Sequence, residues 1–253
     1  MTEKQTVQLA DVLQPPCLLG PYLLTGLLAM STTALVYTAK GGTFAANEEG
    51  VLKLASSHHA ARLKAELQRL VRCADAGVAG VVSPLAREIE WLPVSGMPDE
   101  HVACLAMPFL SGGDLRAARR AGLLQGDTVM QVALRIGATL KHLLELPEHL
   151  VHGSLSARSA LLPRPGASLS EVTLIDFGAA CELSNCSNSE ARERTRADVA
   201  AFGALLDELT DAHGPLTSVR ANCRARRYAT MADARLWRDI SRARDTKRWW
   251  RPW

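Results

Sequence analysis

No Cys-x-x-Cys pair occurs in this chain. The six cysteines (Cys17, Cys73, Cys104, Cys181, Cys186 and Cys223) are accompanied by no His-x-x-x-His element that would complete a zinc site. Reduced thiols in an intracellular protein are therefore expected, without zinc, in the cytoplasm or the nucleus. Residues 1–11 are polar and lack the basic and apolar regions of a secretory signal. Long apolar runs are also scarce. The uncharged stretch from Val12 to Ala39 is broken by Pro15, Pro16, Gly20, Pro21, Gly26 and Ser31-Thr32-Thr33. Such breaks suit strands and turns rather than a membrane-spanning helix. Repeats and low-complexity tracts are absent.

What is present describes a soluble globular chain. Apolar residues make up 47% and charged residues 22% of 253, enough to bury a core and too apolar for general disorder. The net charge of +3 is uneven: residues 214–253 carry eleven Lys/Arg against Asp233, Asp239 and Asp245, so the preceding part is acidic. The end at 246–253 interleaves Lys and Arg with Trp249, Trp250 and Trp253. A solvated helix face is the plain reading of these charges. Nucleic acid or an anionic membrane is the alternative contact for the tail.

Periodicity changes along the chain. A loose leader ends at Pro15-Pro16, followed by strand-like runs at 18–28, 33–39 and 51–54. Residues 58–73 carry Ala61, Leu63, Leu67, Leu70 and Val71 at helical spacing, and two more strands are expected at 79–85 and 102–107. After Gly112-Gly113 the pattern turns helical. Asp114 is expected to cap a helix ending near Gly122, and Asp127 one running to about Leu146. Short strands are expected at 150–151 and 172–175. An apolar helix is expected from Asp198 to Leu209, with further helical pieces near 216–226 and 230–243. The polar string Ser184 to Ser189 reads as a mobile loop.

His152-Gly153-Ser154-Leu155, then Ser159, then Asp176-Phe177-Gly178 keep the frame in which His-Arg-Asp-Leu leads to an Asn and on to Asp-Phe-Gly. Val51-Leu52-Lys53 precedes the only helix of the strand-rich part, which contains Glu66. Met107 to Leu115 follows as a Gly-containing connection, and Asp198 opens the apolar helix. In this order the elements resemble the eukaryotic-type protein kinase superfamily over roughly residues 20–245. The resemblance implies an α+β, bilobal fold with a β-rich N-lobe at 18–110 and a mainly helical C-lobe at 111–245, between a leader at 1–17 and a tail at 246–253. It also implies ATP and Mg²⁺ as ligands. Lys53 would meet the phosphates, oriented by Glu66. Val36, Val51 and Leu161 would line the adenine pocket, with the backbone of Pro108 and Leu110 at the adenine edge. Asp176 would be the metal ligand. The string Asp176 to Cys181 further resembles some herpesvirus protein kinases.

The chain departs from that family where the chemistry sits. The three glycines of the phosphate loop align with Ala29, Ser31 and Ala34, and Val51 stands where a small alanine usually touches adenine. Ser154 replaces the catalytic aspartate and Ser156 the phosphate-neutralising lysine. Ser159 replaces the metal-binding asparagine, and Gly153 the arginine beside the aspartate. Only 21 residues separate Asp176 from Asp198, with no Ala-Pro-Glu for a substrate platform. His-Gly-x-Leu also occurs in aminoglycoside-type phosphotransferases, which need the same aspartate. No catalytic residue is expected. The implied function is a pseudokinase that acts as scaffold or allosteric regulator of a protein partner such as an active kinase. The alternative is an active, atypical serine/threonine-type kinase.

Overall fold

The computed structural model describes residues 9–46, 48–95, 97–210 and 216–246. The Arg/Trp tail beyond Thr246 lies outside them, as does the start of the leader. The chain divides into two compact units, Met1–Asp75 with Val82–Phe109 and Ala76–Val81 with Leu110–Trp253. Among the described residues no helix is long and apolar enough to cross a membrane.

In the first unit, alternating side chains build one antiparallel sheet. Its strands are β1 (Cys17–Leu19), β2 (Tyr22–Met30), β3 (Leu35–Gly41), β4 (Glu49–Ser56), β5 (Glu90–Val94) and β6 (Met97–Pro108), in the order β1-β2-β3-β4-β6-β5. Period-two alternation sends Leu52 and Leu54 of β4 to one face and Val51 and Lys53 to the other. The first face joins Tyr22, Leu24, Leu35, Tyr37, Val102 and Cys104 in a continuous core. Leu9, in a helical turn at 9–12, and Leu13, just after it, are buried in the same core, so this part of the leader is packed rather than loose.

Helix α1 (Ala60–Asp75) packs on β4 and β6, burying Leu63, Glu66, Leu67 and Leu70. The strand expected at 79–85 is absent: Gly80 takes a φ of +89°, and only Val81 forms a bridge, to Leu174. The strand at Glu90–Val94 was masked in the sequence by Pro93. At a sheet edge, proline removes no needed ladder hydrogen bond.

The second unit is built from helices α2 (Leu115–Arg120), α3 (Asp127–Glu145), α4 (Asn188–Leu209), α5 (Thr217–Arg224) and α6 (Ala234–Thr246). Asp114 caps α2, its carboxylate accepting from the Ala117 N–H at 2.6 Å. Asp127 is the first residue of α3 rather than its cap. Gly126 holds that place with no side-chain bond, leaving Asp127 to favour the positive end of the dipole.

Helix α4 begins ten residues earlier than its apolar stretch suggested. Ser187 and Glu190 form a reciprocal capping box, and Leu183–Asn185 is a 3₁₀ turn, so the polar string is ordered structure. Two short ladders complete the unit: β7 (Leu150–Val151) with β10 (Cys181–Glu182), and β8 (Ala160–Leu161) with β9 (Thr173–Leu174).

Candidate functional site

Within the first unit, strand register brings three of the expected nucleotide-site residues to one face of the sheet. Val36 is paired directly with Lys53 across β3 and β4, and Val51 lies two residues along β4 on the same face. The Lys53 ammonium donates to both oxygens of Glu66, at 2.9 and 2.8 Å. Their side chains are only 13% and 2% exposed, so the pair is nearly enclosed. Pro108 ends β6 opposite Gly50, its φ fixed and its carbonyl retained. A cation is thus held by a buried carboxylate on the same face as two apolar side chains.

The turn between β2 and β3 is closed by its own serine. Ser31 N–H donates to the Ala34 carbonyl at 2.9 Å, while the Ser31 hydroxyl oxygen accepts from the N–H groups of Thr33 at 3.3 Å and Ala34 at 3.1 Å. A phosphate-binding turn must offer such N–H groups to its anion. Here they are already engaged. The sequence shows the missing glycines; the hydroxyl that occupies the amides appears only in the fold.

In the second unit Asp198 organises the loop after β7. Its carboxylate accepts from the backbone N–H of His152 at 2.7 Å and of Gly153 at 2.8 Å. Burial pushes the Asp198 carboxyl up, and these two bonds draw it back. Asp198 sits mid-helix in α4 rather than at its start, where its carboxylate anchors the loop's backbone.

His152 is fully buried, stacked at a tilt on Phe177 with ring centroids 4.8 Å apart. Its Nε2 lies 3.1 Å from the Ile175 carbonyl, which can only accept, so Nε2 carries the proton and Nδ1 accepts from the Ser154 N–H at 3.3 Å. Burial holds the imidazole below its ordinary value. Both nitrogens are committed to structure, and the ring is neutral.

The three degenerate positions form one hydrogen-bonded group. Ser156 N–H donates to the Ser159 hydroxyl at 2.9 Å, and that hydroxyl lies 3.1 Å from the Ser156 carbonyl and 3.3 Å from the Ser154 carbonyl. Ser159 N–H donates back to Ser156 Oγ at 3.3 Å. Ser154 Oγ donates to the Asp176 carbonyl at 3.1 Å. Ser159 is 5% exposed, too enclosed and too engaged to ligate a metal. Gly153 stands at φ +76°, and a Cβ there would come within 2.3 Å of the Ala179 carbonyl oxygen, so the position is closed to the arginine of the family.

Asp176 has left-handed backbone angles (φ 65°, ψ 66°) and an exposed side chain, while the adjoining Phe177 is completely buried. Left-handed geometry at a residue with a Cβ is strained and is held here by the packing of its neighbour. One exposed carboxylate fits a Mg²⁺ held largely by phosphate oxygens. The second ligand position, at Ser159, does not fit. Leu161 pairs with Thr173 across β8 and β9 and bridges to Asp114, fixing it next to the strand that leads into Asp176. Leu110 opens the second unit's main segment and is half-buried.

No protein-family profile and no curated protein sequence matches the chain. Solved structures do match, in large number. Among them is a crystal structure of the kinase domain of PF14_0431, similar with a TM-score of 0.59 at 16% sequence identity, over 79% of this chain and 67% of the other.

The chain has a protein-kinase-like fold.

At such low identity the likeness is one of backbone architecture, and it agrees with the order of motifs in the sequence. Sequence reasoning on this kinase-like chain missed two features: the amides closed by Ser31, and the approach of Cys181 to Cys186. The Cys-x₄-Cys spacing was visible, but nothing in it told that a 3₁₀ turn would fold one sulfur back on the other.

Proposed function

We propose that this kinase-like chain is a pseudokinase, a domain that acts by binding, as scaffold or allosteric regulator of a protein partner such as an active kinase inside the cell. The observation that carries the reading is the closed serine group at 154, 156 and 159. A serine at the position of the catalytic base has no charge to orient an attacking alcohol, and its hydroxyl is turned to the Asp176 carbonyl. Loss of a general base alone costs about 10²–10⁴-fold in rate. The engaged amides of the Ser31 turn and the closed position at Gly153 act in the same direction. The likeness of Asp176–Cys181 to herpesvirus protein kinases belongs to the same reading, as a pointer to lineage.

The Lys53–Glu66 pair supports retained nucleotide binding. A bound Mg²⁺ would supply charge neutralisation for the phosphates at Asp176. The same pair favours the alternative, an active atypical kinase, and one experiment separates the two. The purified chain is incubated with γ-labelled ATP and Mg²⁺, alone and with general protein substrates, beside Lys53→Met and Asp176→Ala variants. No transfer above the variants is expected. Transfer abolished by both substitutions would overturn the pseudokinase reading. Melting the chain with ATP, with and without Mg²⁺, tests binding separately. At 100 times Kd a ligand adds about 2.7 kcal/mol to stability.

A further inference from the structure

Cys181 and Cys186 lie with their sulfurs 3.4 Å apart, and both are half-buried, within reach of small solutes. Cys181 is in β10, paired with Val151 of the strand that enters the His152 loop. Cys186 follows the Leu183–Asn185 turn, its N–H donating to the Leu183 carbonyl at 3.0 Å, and immediately precedes the Ser187 cap of α4. Both thiols also approach the Glu182 carbonyl, at 3.8 and 3.7 Å. A disulfide needs the sulfurs at about 2.05 Å, so closure asks each side chain for a shift of under ~1 Å. Of the other four cysteines, Cys73, Cys104 and Cys223 are buried, and burial pushes the Cys223 thiol up to about 12.

We infer that Cys181 and Cys186 form a reversible disulfide under peroxide, a clasp between the Asp176-Phe177-Gly178 turn and the start of α4. The first thiolate attacks a peroxide oxygen. The O–O bond breaks, giving a sulfenic acid and one water. The second thiol attacks the sulfenic sulfur, the S–S bond forms and a second water leaves, so two thiols and one H₂O₂ give one disulfide and two waters. A dithiol reductant reverses the step. The clasp joins the strand that leads out of the turn to the helix whose Asp198 holds the loop, so oxidation fixes the loop's two supports to each other. It does not depend on whether the chain transfers phosphate.

The test uses the full chain. It is oxidised with hydrogen peroxide, natively and after unfolding in urea, then alkylated with N-ethylmaleimide and digested with trypsin. Cleavage after Arg158 and Arg192, with none at Arg164-Pro165, places Cys181 and Cys186 as the only cysteines of one peptide. This peptide should appear two hydrogens lighter and unalkylated, forming about tenfold faster in the native chain because the fold raises the effective concentration of one thiol at the other. Reduction should restore double alkylation. In Cys181→Ser and Cys186→Ser, one of the two should leave a sulfenic acid trapped by dimedone. Formation no faster than in urea, or a peptide that stays doubly alkylated, overturns the inference. So does the absence of sulfenic acid from both variants.

Discussion

The backbone N–H of Ser156 donates to the hydroxyl of Ser159 at 2.9 Å, while the Ser159 N–H reaches back to the Ser156 hydroxyl at 3.3 Å. The two serines thus cap each other's backbone, and their bonds stabilise the loop's own turn.

Ser159 is accordingly a structural residue. Ser159→Ala leaves the Ser156 N–H without its acceptor in a buried site and is expected to cost about 1–3 kcal/mol. Ser159→Asn, which restores the residue of active kinases, overfills the same site and should cost a similar amount. Urea midpoints for the two variants check this. An unchanged midpoint for both would show that the serine group contributes nothing.

Restoring the arginine beside the base should fail more severely. Gly153→Arg forces a side chain into φ +76° and against the Ala179 carbonyl, and even Gly153→Ala meets that oxygen. The backbone penalty alone is about 1–2 kcal/mol, before the clash is counted. Thermal denaturation of Gly153→Ala within a degree of the parent would refute the assignment.

Lys53 and Glu66 should behave as one unit. Removing either partner leaves a charge in a nearly dry site, so Lys53→Met or Glu66→Leu is expected to cost roughly 3 kcal/mol, and the double variant much less than the sum. A double-mutant cycle measures the coupling. Additive single effects would mean that the pair is not energetically joined in solution.

Acid should weaken the second unit through His152. Its folded value is depressed by burial, so the unfolded chain binds the proton first as pH falls. Stability is full above the unfolded value of about 6.5 and declines as pH drops from there toward the lower folded value. Asp198, raised by burial, acts with the opposite sign: its contribution is complete at low pH and fades as pH rises through its folded value. Melting between pH 7.5 and 5 should show a fall in Tm that is shallower in His152→Gln. Parallel curves for the parent and that variant would remove His152 as the cause.

Much of this protein was legible without coordinates. The change from period two to period 3.6 marks the strand-rich and helical parts, since burial of one face leaves its mark on the order of residues. Lys53, Glu66, Asp176 and Asp198 stand out as candidates by their place among elements. Pro93 hid an edge strand because sheet position is not a local property. The start of α4 was missed because its first turns are polar, although Ser187 and Glu190 carry the capping signal in plain view.

The sequence by itself determined which groups are absent: no charge at 154, no amide at 159, no glycine at 29, 31 or 34. Residue type suffices for that, because a hydroxyl cannot become a carboxylate in any fold. Tertiary structure decided what the replacements do. Ser31 closes the amides of its turn, Ser156 and Ser159 satisfy each other, and Gly153 leaves no room for a side chain. It also brought Cys181 to within 3.4 Å of Cys186. Hydrogen bonds and close contacts depend on positions to within tenths of an ångström, and those positions are fixed only when the strands, turns and helices have packed.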